Sequence, residues 1–597
     1  MEGGDRFRIE RRTSVREVLR RYPTAAEVFE RHGIMGCGGP DGPEEPLVFF
    51  ALVHKVDPER LIAELQEHIA SVRVAESRAP VERRLPFAVL PIGLAVAAAL
   101  GGIPLGTVLA FMAADGRLDA RWTAAVQAHR QAQLMGWLGL FILGMALHIV
   151  PRFKAIPLAL PGLRLPAVAA WAGAIALRAG AVALPQTSAG AALLAAACLQ
   201  TVAALLFVAM ASLTLMRGRR EGYDGFLLSG LVWLAAGTGL QLAGAARSRA
   251  DAVPYIPAHW DAAAVDVLSY GFVLMFALGV SLRVVPFFLS LPPTRQWPLP
   301  FLLGAADLGL LLLTTGGVAR ALDLAVWAPL AAGGAATLAV GAGGTALALR
   351  VFSPSQPSHV ADEQTLHRKF VRAAYGWLLL ALGVQAWLSV RAALGQEPGW
   401  LEAGAARHML LLGFATQMVF GIAYRALPVF LGVRLASPRL AEVTFVLVNV
   451  AAITRAMPPL VSADGGGGMW SHVAGAGLPA TAAVLLFGYN LQAMVVAAWR
   501  RLRKWEEGLP LREVREVSEP TAVTADMTVA QVIERVPGAL ELLIERGFTP
   551  LSDPNLRAAL APTITLKGAC ELRGVDLDAL LRDLNELARQ GQRGEIS

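Results

Sequence analysis

Residues 129–153 have the sequence HRQAQLMGWLGLFILGMALHIVPRF, an apolar run that ends at both sides in histidine and arginine. About 18–20 apolar residues are needed to cross the hydrocarbon core of a bilayer, and this run has that length. Comparable runs recur along most of the chain. The stretch therefore predicts one helix of a membrane-spanning bundle.

The composition supports a membrane protein. Of the 597 residues, 55% are hydrophobic and only 17% are charged, whereas soluble domains carry about 25% charged residues. Charge is concentrated in residues 1–84 and 500–597, and the net charge of +7 lies mostly in short loops and at the ends, so it does not indicate nucleic-acid binding. Cys37, Cys198 and Cys570 contain no CxxC pair, which excludes a disulfide framework.

The apolar runs predict an all-α polytopic bundle of about twelve helices. The predicted spans are 85–113, 127–150, 165–185, 190–216, 225–247, 261–290, 298–320, 326–350, 370–394, 402–431, 438–460 and 470–499. The connections on one side, together with both chain ends, carry most of the loop arginines and lysines. By the positive-inside rule both termini face the cytoplasm, and the lack of a signal peptide fits the inner membrane of a prokaryote.

A pattern G-[WF]-x6-G-x3-[HR]-x2-P occurs three times, starting at Gly136, Gly271 and Gly413. The intervals are 135 and 142 residues, and each contains four predicted spans. Glycine and proline recur in any membrane protein because small residues let helices approach closely. The shared spacing of four positions instead favours three repeated four-helix units, whose second helices carry the pattern.

Two histidines are candidate ligands for haem iron. His129 lies seven residues before Gly136, and His408 lies five residues before Gly413, so both imidazoles are expected at a similar depth in the outer leaflet. Facing helices that present two such imidazoles can ligate one haem iron from opposite sides. His148 lies roughly 28 Å further along the helix and cannot share that iron. The alternative is that these histidines only meet headgroups and water.

The bundle resembles subunit I of the haem-copper oxidase superfamily, which has twelve spans in three four-helix arcs. Residues 129–153 resemble its second helix, and HMLLLGFATQMVFGIAYRALPVFLG, residues 408–432, resembles its tenth. The resemblance implies a low-spin haem b held by His129 and His408. Ala406 stands where the high-spin haem ligand is expected and Asp266 near a copper ligand, which implies that the reducing centre is absent.

A member without that centre resembles the NnrS-like proteins of the nitric oxide response. This resemblance implies a haem-binding protein that is not an enzyme, and no histidine cluster for copper is identified. An electron-transfer subunit related to nitric oxide or oxygen reductases is an alternative. So is a cofactor-free transporter or scaffold, for which Asp266 and Asp307 are the acidic residues within predicted spans to be examined.

The two tails resemble each other. VLRRYPTAAEVFERHGIMGC begins at residue 18 and resembles the N-terminal domain of ScdA-type iron–sulfur repair proteins, while VIERVPGALELLIERGFTPL, from residue 532, resembles a small domain of unknown function that accompanies hybrid-cluster proteins. Cys37, on a glycine-rich turn, is either a redox-active thiol or an inert turn residue. A cytoplasmic redox or iron–sulfur repair partner follows from these resemblances.

These patterns predict four segments. A ScdA-like helical domain spans residues 1–75, and the twelve-helix membrane domain spans 85–500. A charged, Pro-bounded linker spans 501–520, and the second small helical domain spans 521–590.

Overall fold

The structure is a computed structural model that describes residues 9–33, 42–43, 45–54, 56–71, 85–354, 366–461, 467–506, 523–536, 538–552, 561 and 564–594. The chain divides into two compact units, Met1–Arg503 and Lys504–Ser597, which are described separately. Cys37 lies outside the described residues, so its proposed thiol chemistry stays a prediction.

The N-terminal domain contains four short helices: α1 (Val15–Arg21), α2 (Ala26–Arg31), α3 (Leu47–Val53) and α4 (Pro58–Ser71). Helix α1 begins after Ser14, whose hydroxyl accepts a hydrogen bond of 3.0 Å from the Glu17 amide. Phe29 and Phe50 pack edge to face in the core, with ring centroids 5.2 Å apart. Apolar burial therefore holds the four helices together as one small domain.

In the described residues between 85 and 506, twelve helices form the bundle. They are α5 (Val89–Ala114), α6 (Ala120–Lys154), α7 (Arg164–Ala181), α8 (Gln186–Arg217), α9 (Asp224–Ala250), α10 (Ala258–Phe288), α11 (Leu299–Ala321), α12 (Trp327–Ala348), α13 (Leu366–Ala393), α14 (Trp400–Leu431), α15 (Pro438–Val461) and α16 (Gly468–Arg503). No strand occurs within the described ranges. The prediction of an all-α polytopic bundle is confirmed.

Eleven of these helices, within the part of the chain that the structure describes, are long and apolar enough to cross a membrane. Helix α7 is the exception. It has 18 residues and carries Arg164 and Arg178, which lower its apolar character. It still packs along α8 and against α6, so the predicted twelfth helix is present as part of the bundle.

The bundle consists of three repeats of four helices, α5–α8, α9–α12 and α13–α16, and the second helix of each repeat is the most buried. In α6, α10 and α14 the most apolar window is 94%, 67% and 72% buried, against 50% or less in the other spans. Part of each of these helices contacts the other two. We call α6, α10 and α14 the central helices, because they surround a common axis.

Each central helix contains an eight-residue π-helical segment at the same place in its repeat. The segments are Ala132–Gly139, Val267–Leu274 and Met409–Thr416, and each begins four residues before the first glycine of the repeated pattern. Such segments are rare and are frequently associated with functional sites. Across the axis, the Trp137 indole donates a 3.0 Å hydrogen bond to the Thr416 hydroxyl.

Close helix approach explains the repeated glycines. A Cβ added at Gly136 would lie 2.6 Å from Ala98 on α5, and one at Gly271 would lie 2.5 Å from Trp233 on α9. A Cβ added at Gly413 would lie 2.7 Å from Trp377 on α13. The first helix of each repeat therefore packs directly on the backbone of the central helix.

The repeat extends to the helix ends. Four residues after the proline of the pattern, Ala155, Ser290 and Gly432 adopt positive φ angles of 50°, 51° and 65°. This left-handed conformation ends the helix and turns the chain away. We call this end of the bundle, which contacts the N-terminal domain, the proximal end, and the opposite end the distal end.

The second unit contains helices α17 (Val529–Arg535), α18 (Ala539–Glu545), α19 (Leu566–Arg573) and α20 (Leu577–Gly594). Its backbone pairing repeats that of the N-terminal domain: Ser14 bridges Pro46, and Thr528 bridges Thr565. The amide of Val15 bonds to the Glu45 carbonyl, as the amide of Val529 bonds to that of Ile564. Residues 14 and 528 are therefore structurally equivalent, and the two tail domains share one fold.

Candidate cofactor-binding cavity

A cavity of about 210 Å³ opens in the distal half of the bundle, between α5, α6, α14, α15 and α16. Both His129 and His408 line it. We call it the distal cavity and define it by these two histidines together with Gly106, Arg455 and Trp470. The two histidines that the sequence proposes as a pair are thus brought to one site from the first and third repeats.

His129 is held by helix α5. Its Nδ1 lies 2.7 Å from the carbonyl oxygen of Gly102, and only a protonated nitrogen can donate to a carbonyl. The proton therefore sits on Nδ1, and Nε2 keeps its lone pair. Among the described residues Nε2 has no hydrogen-bond partner.

His408 is arranged in the same way by its own helix. Its Nδ1 lies 2.7 Å from the carbonyl oxygen of Gly404, one turn earlier in α14. It stands immediately before the π-helical segment Met409–Thr416. A neutral imidazole whose Nδ1–H is fixed by a carbonyl is the form that ligates metals through Nε2.

Gly106 makes room for the imidazole of His129. A Cβ at this position would lie 2.4 Å from Cε1 of His129 and 2.6 Å from its Nδ1. Side-chain atoms do not approach that closely, so only glycine leaves the ring in place. Gly102 and Gly106 therefore fix the ring from two successive turns of α5.

Two of the three arginines that line the cavity, Arg130 and Arg407, are paired with carboxylates. Arg130 lies 2.5 Å from Asp261, and Arg178 lies 3.7 Å from the same carboxylate. Arg407 makes two hydrogen bonds, of 2.7 and 3.1 Å, to Asp266. These pairs join the first and third repeats to α10 of the second repeat.

Arg455 is different. Its Nη1 is buried and has no hydrogen-bond partner, and among the described residues no carboxylate pairs with its guanidinium. Its Nη2 would lie 3.0 Å from a Cβ added at Gly404, so it reaches the helix turn that holds His408. A buried charge without a partner is costly, and an anionic ligand group in the cavity would remove that cost.

Aromatic residues form the apolar part of the lining. Trp122, Trp400 and Trp470 pack edge to face, with ring centroids 5.2, 6.1 and 5.9 Å apart. The guanidinium of Arg130 lies 5.6 Å from the Trp400 ring. The cavity therefore combines a wide apolar surface with two neutral imidazoles and one cation that has no carboxylate partner among the described residues.

Asp266 and Asp307, the two acidic residues that the sequence analysis singles out, have partners in the protein. Asp266 forms the ion pair with Arg407, and Asp307 accepts hydrogen bonds of 2.5 Å from Ser229 and 2.9 Å from Trp233. Both carboxylates therefore connect neighbouring helices of the bundle. In the described part of the chain no group of three or more His, Cys, Asp or Glu side chains forms a metal site.

Replacing Asp261 by alanine is expected to destabilise the bundle by about 3–5 kcal/mol, because the buried Arg178 and the partly buried Arg130 would lose their carboxylate. Asp261 is only 4% exposed. Thermal unfolding in detergent measures the effect. The matched control is Asp251→Ala, which removes an exposed partner of Arg247 and is expected to cost less than about 1 kcal/mol. Equal losses in the two variants would contradict the structural role of Asp261.

Residues 523–581 match the family described as Domain of unknown function (DUF1858). This finding confirms the sequence-based resemblance of the C-terminal segment to such a small domain. A comparison with curated proteins gives no significant match.

Proposed function

We propose that this chain is an integral membrane haem protein in which His129 and His408 hold a haem b in the distal cavity. One observation carries the proposal. Two imidazoles from different repeats line the same cavity, each with Nδ1 bonded to a backbone carbonyl and Nε2 free. Both imidazoles thereby have the tautomer in which a neutral histidine can bind a metal through Nε2.

The rest of the lining fits the same group. A haem has a broad apolar ring and two carboxylates, and the cavity offers tryptophan and leucine side chains beside the unpaired Arg455. Arg455 would pair with a carboxylate, and Gly106 would keep the His129 ring in its ligating position. When bound, the haem would supply a one-electron redox centre.

The residues of the protein would bind the haem and adjust the basicity of its ligands. The carbonyls of Gly102 and Gly404 would raise the basicity of the two imidazoles, and the tryptophan cluster would keep water from the ring. With two histidine ligands, electron transfer or sensing is favoured over turnover of a substrate. No residue is assigned a catalytic role.

The second part of the proposal is a role in the response to nitrosative stress. It rests on the resemblance to NnrS-like proteins and on the tail domains, one of which matches DUF1858. In this context the proximal end faces the cytoplasm of a prokaryote, as its arginine-rich connections favour, and a soluble redox or iron–sulfur repair protein is the expected partner.

An absorption spectrum tests the proposal. The full chain, purified in detergent and loaded with haem, is expected to show the reduced-minus-oxidised bands of a low-spin b-type haem. Protein that stays colourless after loading would overturn the proposal and favour a cofactor-free transporter or scaffold. Rapid consumption of nitric oxide with an artificial electron donor would instead favour a reductase-like subunit.

A further inference from the structure

The proximal ends of the central helices carry three repeat-equivalent residues. His148, Arg283 and Arg425 each lie twelve residues after the first glycine of their repeat. His148 and Arg283 are each only 7% exposed. At this end, the N-terminal domain contacts α10 and α14.

Arg425 makes the clearest contact with the N-terminal domain. Its Nη1 lies 2.8 Å from a carboxylate oxygen of Glu45, and both side chains are less than a fifth exposed. The guanidinium also lies 4.7 Å from the ring of Phe49 on α3. An ion pair that is largely shielded from water and stacked on an aromatic ring gives orientation as well as attraction.

Arg283 holds the end of α3. Its Nη2 donates a hydrogen bond to the carbonyl oxygen of Val53, the last residue of that helix. Carbonyls at a helix C-terminus have no partner within the helix and carry partial negative charge, so an arginine is well suited there. The contact joins residues 230 positions apart in the chain.

Arg16 makes the reverse contact, from the N-terminal domain to the bundle. Its Nη2 donates to the carbonyl oxygen of Gly432, at 3.0 Å, and its Nε donates to Gly42 within its own domain, at 3.1 Å. Gly432 is the left-handed residue that ends α14. Arg16 is only 8% exposed, so its charge is buried at the contact.

These residues distinguish the two tail domains. The equivalent positions in the C-terminal copy are Ala530 for Arg16 and Ile564 for Glu45, as the shared backbone hydrogen bonds show. Neither alanine nor isoleucine can make the polar contacts described. The recognition residues therefore belong to the N-terminal copy, although both copies have the same fold.

We propose that the proximal ends of the central helices form a receptor surface specific for the N-terminal domain, which Arg283 and Arg425 of the bundle and Arg16 and Glu45 of the domain hold in place. The partner is a segment of the same chain. The polar contacts lie on α10 and α14, and a Cβ added at Gly33 of the domain would lie 3.1 Å from the Arg152 carbonyl oxygen of α6, so the domain reaches all three helices around the axis. Its attachment does not depend on haem.

Protonation of His54 is expected to make the attachment of the N-terminal domain depend on pH. Its ring stacks on Phe50, and burial, together with Arg283 of α10, His32 after α2 and Arg152 of α6, lowers its pKa from 6.5 to about 3. The attached domain thus holds a neutral His54, whereas a released domain with an ordinary pKa takes up a proton below pH 6.5. Attachment is expected to weaken about tenfold between pH 7.5 and 5.5. A His54→Gln variant should lose most of this dependence.

Hydrogen–deuterium exchange of the full chain tests the receptor surface. Arg425→Glu is expected to speed exchange at residues 45–54 by tenfold or more, and adding Glu45→Arg should restore protection by reversing the pair. The control Arg11→Glu breaks an exposed pair with Glu59 in the same domain and should change nothing. Unchanged exchange in Arg425→Glu would overturn the proposal.

A second variant separates release of the domain from its unfolding. The double substitution of Arg16→Ala and Glu45→Ile installs the residues that the C-terminal copy carries at the equivalent positions, so the fold tolerates them. It should release the domain while the amides of α4 stay protected. Protection at residues 45–54 that persists in this variant would show that Arg16 and Glu45 do not hold the domain.

Discussion

The His408→Ala variant is expected to lose the low-spin b-type spectrum, and His129→Ala is expected to do the same. Each histidine would supply one of two ligands to one iron, so either substitution leaves a single imidazole and ends the six-coordinate state. The double variant should retain little haem. Pyridine haemochrome analysis of the purified proteins measures the bound haem, and the reduced-minus-oxidised spectrum reports the ligation.

The matched control for both substitutions is His472→Ala. His472 is exposed, lies near the distal end on α16, and has its Nδ1 2.8 Å from the carbonyl of Gly468, the backbone contact that His408 makes with Gly404. It does not line the distal cavity. The control should keep the full signal. Retention of the signal in both His129→Ala and His408→Ala would refute the bis-histidine site.

The sequence predicts the architecture well because its signals are local. Apolar runs of membrane length give the helices, and the spacing of glycine and proline gives the repeats. The repeated glycines already imply close helix contacts, which the structure shows between Gly271 and Trp233 and between Gly413 and Trp377. The predicted span 165–185 is present as α7, although Arg178, which is buried against Asp261 of α10, makes this helix less apolar than the others.

The candidate site is only partly predictable from the sequence, because it depends on contacts between residues that are far apart in the chain. Equal depth along the helices predicts that His129 and His408 lie together. No local pattern marks Arg455, because its role depends on which side chains surround it in the folded bundle, where no carboxylate of the described residues pairs with it. Gly106 likewise resembles any small residue of a membrane helix until the His129 ring is placed against it. The contact of Arg16 with Gly432 joins residues 416 positions apart, and no periodicity could reveal it.

Replacing Gly106 by alanine is expected to displace the His129 ring and to lower haem retention strongly. The new Cβ would lie 2.4 Å from Cε1, and the ring cannot simply rotate away because its Nδ1 is bonded to Gly102 one turn earlier. Overpacking of this kind costs about 1–3 kcal/mol, whereas replacing a helical glycine by alanine gains only about 0.5–1 kcal/mol. The steric loss therefore exceeds the gain, and the apoprotein should also unfold at a lower temperature.

Gly101→Ala gives the matched control for this prediction. It lies on the same helix, and a Cβ there has no atom within 4 Å. The only expected effect is then the higher helix propensity of alanine, so Gly101→Ala should keep its haem and be at least as stable as the unmodified chain. Haem retention and thermal unfolding are measured side by side for the two variants. A loss in Gly106→Ala alone would show that Gly106 fixes the position of the His129 ring, whereas a loss in both would show a general effect of alanine in α5. Equal behaviour of the two would show that His129 does not depend on Gly106.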